Sequence, residues 1–401
     1  MKIKPLKDLC HNYKADIVDG PFGSNMKRSD YSEDGIPVLK IQNIKPFKIE
    51  IKKMDFVTES KYAELKRHSY KKGDIVMTKL GDPLGASAIV EDIDDGLIVA
   101  DLVRIRAEKI DTKYLCYHLN SPITNDFINT QQKGATRPRV QISVVRDLPI
   151  YAPPLPEQQR IVAILDEAFT AIEGAKANAI QNLKNAKELF DSYLQSVFEN
   201  KVHGSLFETL DSLCELIVDC EHKTAPTQDT GYPSIRTPNI GKGVLILDNV
   251  NRVSEETYNE WTRRAIPQAD DLILAREAPA GNIAVIPENI KVCLGQRTVL
   301  IRPKKSKLVS KFLAYLILSK DVQEQLLSHS TGATVEHINM KDIRAFKIYN
   351  LSPLPEQKTI VQKLDLLSAQ TKRLEAIYQQ KIDNLEELKK SILQKAFNGE
   401  L

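Results

Sequence analysis

The sequence predicts two copies of a mixed α/β (α+β) domain, joined by two long antiparallel coiled-coil helices in a pseudo-twofold internal repeat. Three observations predict this. The decapeptide PPLPEQQRIV at 153–162 returns as SPLPEQKTIV at 352–361, seven of ten residues identical, at an offset of 361 − 162 = 199. The echo extends along most of the chain in unchanged order, which is the signature of a duplicated unit. Each decapeptide also opens a stretch of about 40 residues in which apolar positions recur with 4–3 spacing, the pattern of a long helix with one sticky seam.

The paired segments run as follows. GIPVLKIQNI at 35–44 answers GYPSIRTPNI at 231–240, and GDIVMTKLGDPLGASAIV at 73–90 answers DDLILAREAPAGNIAVI at 270–286. KYLCYHLNS at 113–121 answers KFLAYLILS at 311–319, KGATRPRVQISVVRDLPI answers TGATVEHINMKDIRAFKI, and SYLQSVF at 192–198 answers SILQKAF at 391–397. The boundaries implied are a first domain at 1–152, a central helix at 153–202, a second domain at 203–351 and a C-terminal helix at 352–401. LKDLC at 6–10 answers LDSLC at 210–214. From Phe198 to Cys214 is 214 − 198 = 16 steps; from Phe397 around joined ends to Cys10 would be 4 + 10 = 14. The repeat nearly closes on itself, so the two termini are expected near each other.

Within each domain, GDIVMTKL, GLIVADLVRIR, DDLILARE and KVCLGQRTVLIRP read as strands, while ESKYAELKRHSY and KYLCYHLNSPITNDFINT read as helical. In each decapeptide the prolines favour extended backbone before the helix. Pro156 and Pro355 suit the first helical position, and Glu157 and Glu356 suit the positive end of the helix dipole. The seam predicted for the first helix is Ile161, Leu165, Ala168, Ile172, Ala175, Ala179, Asn182, Ala186, Leu189 and Tyr193. That for the second is Ile360, Leu364, Leu367, Thr371, Leu374, Tyr378, Lys381, Leu385, Leu388 and Ile392. The first is rich in alanine where the second carries leucine and tyrosine, so the two are expected to interdigitate. At 1.5 Å per residue each helix is a rod of roughly 60 Å. The bland alternative is two independent amphipathic helices, each packed on its own domain.

Composition bounds the function. A chain of 401 residues with a net charge of +3 is no strongly basic nucleic-acid binder, so any such role must rest on local clusters. Five cysteines without a CxxC pair suggest neither a zinc framework nor a disulfide scaffold. Cys10 and Cys214, which recur in the repeat, are expected in cores. No secretory h-region and no long apolar run is present, so a cytoplasmic protein without a membrane span is expected. No GxxxxGK[ST], GxSxG, HExxH, zinc-deaminase or [DN]PP[YF] pattern occurs, so no catalytic residue, metal or cofactor is assigned. His222, in the loop DCEHKT, is the one histidine in a suggestive setting, and its counterpart loop DGPFGS has none.

The loops are polar and basic at matching places. Lys40, Gln42 and Asn43 match Arg236, Pro238 and Asn239; Lys79 matches Arg276. Lys133, Thr136, Arg137 and Arg139 are answered by Thr334, Glu336 and His337. Together with Ser24, His222 and Lys223, these are the side-chain types that read base edges and hold phosphates. Any one of them reads equally well as a solvated loop residue. As a set that recurs with changed identities, they suit two different sequence readers on one scaffold.

These segments resemble the specificity (S) subunit of type I restriction–modification systems over essentially the whole chain. PPLPEQQRIVAILDEAF and PLPEQKTIVQKLDLL look like that family's central and C-terminal spacer helices. GIPVLKIQNI and GYPSIRTPNI look like its recognition-domain segment, and GPFGS and DCEHKT like its first loop. The resemblance implies two target recognition domains that each read one half of a bipartite double-stranded DNA site. It implies a helix pair that sets the gap and docks two methyltransferase subunits, with restriction subunits joining through them. It also implies a non-catalytic chain with no cofactor of its own. The second GAT loop departs from the first: Val335, Glu336 and His337 stand where Arg137, Pro138 and Arg139 do. No arginine contact carries over there, and Glu336 suits acceptance from a cytosine amino group. Two other classes stay open on the residues alone: a coiled-coil interaction scaffold without DNA affinity, and a DNA-acting enzyme with an unrecognised site.

Overall fold

A computed structural model describes residues 3–81, 83–134, 137–199, 206–277, 280–327 and 337–401. The chain forms two compact units. The first comprises residues 1–179 and 380–401, the second 180–379. Each unit therefore combines one α/β domain with the start of one long helix and the end of the other.

In the first unit, Ser87–Ile89, Ile75–Thr78, Leu102–Ile105 and Ile17–Asp19 form an antiparallel four-stranded sheet in that order. In the second, Cys214–Asp219, Thr298–Pro303, Leu272–Ala275 and Ile283–Val285 repeat it in reverse listing. A smaller mixed sheet accompanies each. Ile36–Leu39 runs parallel to Gly96–Ile98 and antiparallel to Asp55–Val57. Tyr232–Ile235 likewise runs parallel to Cys293–Leu294 and antiparallel to Arg252–Val253. GLIVADLVRIR and KVCLGQRTVLIRP thus each supply strands to two different sheets.

The glycine of the G-x-P segment is required by both its φ and its surroundings. Gly35 and Gly231 sit at φ +123° and +116°, and a Cβ there would stand 2.6 Å from Val57 O and 2.2 Å from Val253 O. Only glycine fits this close crossing of strands.

Two helical readings break where local chemistry dictates. KYLCYHLNSPITNDFINT forms Thr112–Leu119 and Pro122–Gln131, because Ser121 caps a new helix whose first residue is Pro122. ESKYAELKRHSY is α-helical only over Glu59–Glu64, tightens to a 3-10 turn over Lys66–His68, then passes into the short strand Ser69–Tyr70.

The two long helices are Leu155–Phe198 and Leu354–Asn398. Pro156 and Pro355 fall at their second positions, one later than the sequence suggests. Inside the first unit the two run antiparallel. Glu173 accepts from Lys389 at 2.7 Å, Lys176 pairs with Glu386, and Arg160 donates to the Leu401 carbonyl at 2.6 Å. The seam follows the predicted register only in part. Ile161, Leu165, Ile172, Ala179, Ala186, Leu364 and Thr371 are buried, and Ala168, Ala175, Ile360, Leu367, Tyr378, Leu385 and Ile392 half-buried. Leu189 and Leu388 are 50% and 46% exposed, and Tyr193, Leu374, Asn182 and Lys381 also face out. Their neighbours Phe190, Leu194, Glu375 and Lys389 turn inward instead. The cause is periodicity. A strict 3.5-residue repeat drifts by about 20° per heptad on a 3.6-residue helix. Toward its C-terminal end the first helix packs with spacing of four (Ala186, Phe190, Leu194, Phe198), as against a domain rather than a coiled-coil partner.

That packing places each helix end in a core. Leu393, Ala396 and Phe397 join Leu6, Leu9, Cys10 and Tyr114 in the main core of the first unit. Leu194 and Phe198 join Leu210, Leu213, Cys214 and Phe312 in that of the second. The segments near both chain termini thus share one core, as the near-closure of the repeat requires. Cys10 and Cys214 are buried there, and desolvation pushes both thiols up to about 12.

Phe397 lies 4.6 Å, ring to ring, from His118. His118 Nε2 accepts from the Tyr151 amide at 3.1 Å, and Nδ1 stands 3.0 Å from Thr124 Oγ1. Burial lowers this imidazole from 6.5 to about 4. The unfolded chain therefore binds a proton that the folded chain refuses, and stability falls as pH drops from 6.5 toward 4. The loss reaches about 3 kcal/mol at the acid end. Urea midpoints recorded between pH 7 and pH 4.5 should fall less steeply for His118→Gln than for the parent. Parallel curves would show that His118 does not titrate on unfolding.

Candidate nucleic-acid interface

The first domain gathers its loops around an open cleft of about 550 Å³, lined by Tyr31, Lys40, Gln42, Leu80, Gly81, Asp101 and Arg137 among others. The GAT loop reaches it by pairing back. Lys133 and Arg139 exchange backbone hydrogen bonds, Gly81 N donates to Pro138 O, and Val140 N donates to Lys79 O. In the second unit Ile338 N donates to Arg276 O at 3.0 Å, the same connection. In both domains the segment that follows this loop therefore pairs with the same strand end.

The predicted residues divide by what holds them. Asn43 is buried; its Oδ1 accepts from Lys40 N at 3.0 Å and its Nδ2 donates to Glu50 O at 2.9 Å. Asn239 repeats this, accepting from Arg236 N at 3.1 Å and donating to Ile246 O at 3.3 Å. The asparagine of the N-I pair is a turn brace in both domains, with its amide engaged inside the protein. Lys40 pairs with Asp55 at 2.6 Å and sits 4.1 Å from the Tyr31 ring. Lys79 pairs with Asp19 at 2.8 Å. Arg276 is buried and donates Nε to Ile338 O at 2.9 Å and a terminal N–H to His337 Nε2 at 2.8 Å. His337 Nδ1 faces Glu277 at 2.8 Å, and Arg297 closes the chain on Glu277 at 2.8 Å. Arginine only donates and an ionised carboxylate only accepts, so a neutral ring with its proton on Nδ1 satisfies both partners.

Other members are outward. Gln42 is exposed, with Nε2 3.4 Å from Lys53 O. Lys133, Arg137 and Arg139 are exposed, as are Lys223 and Arg236, whose stem lies across Gly295. Ser24 is exposed in the short turn Gly23–Asn25. His222 is exposed and leans on Asp219 at 2.9 Å; Arg264 binds the same carboxylate at 2.7 Å. Thr136, Thr334 and Glu336 lie outside the described residues. The sequence reading missed Tyr31, Asp101, Glu277, Arg297 and Arg264. Glu277 lies inside a repeated segment but is acidic where base-reading residues were sought, and the other four lie outside the paired loop segments. Among the described residues, no group of three or more His, Cys, Asp or Glu side chains is placed to hold a metal ion, and no helix is long and apolar enough to cross a membrane.

The comparisons with known proteins agree with this duplicated arrangement. The chain is 25% identical over 325 residues to the type I restriction enzyme MjaVIII specificity subunit of Methanocaldococcus jannaschii, covering 76% of this chain and 74% of that one. It is 24% identical over 393 residues to the type I restriction enzyme StySPI specificity subunit of Salmonella potsdam, covering 92% and 83%. A chain solved in work on complex assembly and conformational transition of the type I R-M system shares the fold, with a TM-score of 0.75 at 21% identity over 100% of this chain and 98% of that one. The family model for the type I restriction modification DNA specificity domain matches twice, at residues 23–182 and 207–386. Each match covers one copy of the repeat with most of the helix that follows it, and the chain accordingly belongs to the type I restriction modification DNA specificity domain family.

Proposed function

We propose that this chain is the non-catalytic DNA-specificity subunit of a type I restriction–modification complex. Each domain reads one half of a bipartite double-stranded target, and the helix pair sets the gap between the halves. Two methyltransferase subunits dock on it, and restriction subunits join through them; cofactor chemistry belongs to those partners. The observation that carries the reading is that one family domain occurs twice, at residues 23–182 and 207–386, with different side chains at matching loop positions of the two copies. In the first domain the readers are Gln42, Lys133, Arg137 and Arg139; in the second they are His222, Lys223 and Arg236. Lys40, Lys79, Arg276 and His337 hold the loops in place, and Asn43 and Asn239 shape the turn.

Coexpression with the methyltransferase partner should yield one split modified motif when the host genome is sequenced for methylated bases. Arg137→Ala should weaken discrimination in one half-site and Arg236→Ala in the other, each by about 1–3 kcal/mol. The absence of any split motif beside an active partner, or both variants relaxing the same half, would overturn the reading.

A further inference from the structure

The junction between each long helix and its domain is built twice in the same way. On the first helix, Asp166 accepts from Tyr117 Oη at 2.6 Å through one oxygen and from Lys113 Nζ at 2.7 Å through the other. On the second, Asp365 accepts from Tyr315 Oη at 2.7 Å and Lys311 Nζ at 2.8 Å. Both phenols lie on the domain helix nearest the rod, Thr112–Leu119 or Ser310–Leu318. With both oxygens engaged, neither carboxylate can rotate freely. The Tyr117 ring is also wedged edge-on against Phe169 of the long helix at 5.3 Å, and Tyr315 lies 6.1 Å from Phe190.

A second anchor precedes each aspartate by eight residues. Gln158 accepts from Asp111 N at 2.8 Å, and Gln357 from Val309 N at 2.8 Å; these are the cap residues of the same domain helices. Eight residues span about 12 Å of helix. One anchor would leave a pivot. Two anchors about 12 Å apart along the helix fix the crossing angle of domain and rod.

We infer that the Tyr117–Asp166 and Tyr315–Asp365 clasps restrict the DNA gap to a single length by fixing the angle at which each domain meets its helix. The inference rests on the reading of the chain as a bipartite DNA reader. Its physical basis is the geometry of B-DNA: one added base pair moves a half-site by about 3.4 Å and also turns it by about 35°. A rod of fixed length with loose joints would follow that turn and accept neighbouring gaps. Fixed joints reject them. The lysines add little, since Lys113 and Asp166 are 52% and 37% exposed and such ion pairs are weak in water. The phenol–carboxylate bonds carry the constraint.

The test uses the complex of the full chain with its methyltransferase partner. Its substrates are DNA duplexes bearing the native half-sites at the native gap and at gaps one and two base pairs longer or shorter. Tyr117→Phe with Tyr315→Phe keeps both rings in place, and Asp166→Asn with Asp365→Asn keeps the side-chain shape as a second variant. Either should raise methylation at gaps one base pair off by about tenfold relative to the native gap, the factor that about 1.4 kcal/mol of lost selectivity produces. Half-site sequence preference should be unchanged. Unaltered gap selectivity in a folded variant, or altered half-sites, overturns the inference. A parent complex that modifies no split motif overturns the underlying reading instead.

Discussion

Truncating Phe397 to alanine is expected to destabilise the first unit by about 3–5 kcal/mol, the usual cost of emptying a buried aromatic site. The same change at Phe198 should fall on the second unit. The assignment is counter-intuitive from chain order, since Phe198 ends the helix that starts at the first domain. Yet Phe198 packs at 5.3 Å against Phe312, and Phe397 packs against Tyr114 at 5.3 Å as well as His118. Both rings are almost completely buried, so neither site can relax into water without opening a core. Hydrogen exchange resolved by peptide would read the two units separately. Phe397→Ala should release protection in the strands Ile75–Thr78 and Leu102–Ile105 while sparing Leu272–Ala275 and Thr298–Pro303. Phe198→Ala should do the reverse. Protection lost in the unit that lies earlier along each helix would mean that the cores are not interleaved in this way.

The interleaving follows from features that the sequence displays in part. The repeat is legible because identity between the copies is high where packing demands it: LQSVF and LQKAF, SLC and DLC, PLPEQ twice. What the repeat does not state is which core each copy of LQ-x-x-F enters, because that depends on the antiparallel course of the rods. The heptad reading failed at Leu189, Leu374 and Leu388 for a related reason. A leucine at a seam position and a leucine one step off it look alike until the helix twist is known.

The loops were harder still. An asparagine that braces a turn and one that reads a base have the same composition and the same neighbours. Asn43 and Asn239 are identical between copies, as a scaffold residue should be, whereas Gln42 and Pro238, or Arg137 and Val335, differ. Internal divergence therefore goes with outward exposure at Gln42, Pro238 and Arg137. Lys79 and Arg276 show its limit: they differ in identity, yet both are tied to internal partners, one to Asp19 and the other to His337 and the Ile338 carbonyl.

The same contrast explains the part of PLPEQ that helix-start rules leave unexplained. Prolines and glutamate account for the turn into the helix, but the glutamine has no such role. Gln158 is buried, with Nε2 donating to Pro153 O at 2.7 Å while Oε1 accepts from Asp111 N. Gln357 is buried completely and satisfies three backbone groups: Val309 N, Lys307 O at 2.9 Å and Ser352 O at 2.8 Å. Replacing it with leucine removes the side-chain partner of Val309 N and Lys307 O, at about 1–3 kcal/mol for each that water cannot reach. Gln357→Leu should therefore cost about 2–4 kcal/mol in the second unit, and Gln158→Leu, which removes the partner of Asp111 N and Pro153 O, about the same in the first.

Gln357→Glu separates hydrogen bonding from shape. Its carboxylate would face two carbonyl oxygens, so the folded state would favour the protonated acid and its pKa would rise above the ordinary carboxylate value. The folded chain would then bind a proton that the unfolded chain releases, and stability would climb as pH falls through that raised value. Gln357→Leu has no such proton to bind. In urea unfolding at pH 7.5 and pH 5.5, the penalty of the glutamate variant relative to the parent should shrink on acidification, while that of the leucine variant stays level. Equal penalties at both pH values for the glutamate variant would show that the side chain had turned out to solvent, and that Gln357 does not lock the helix start to its domain.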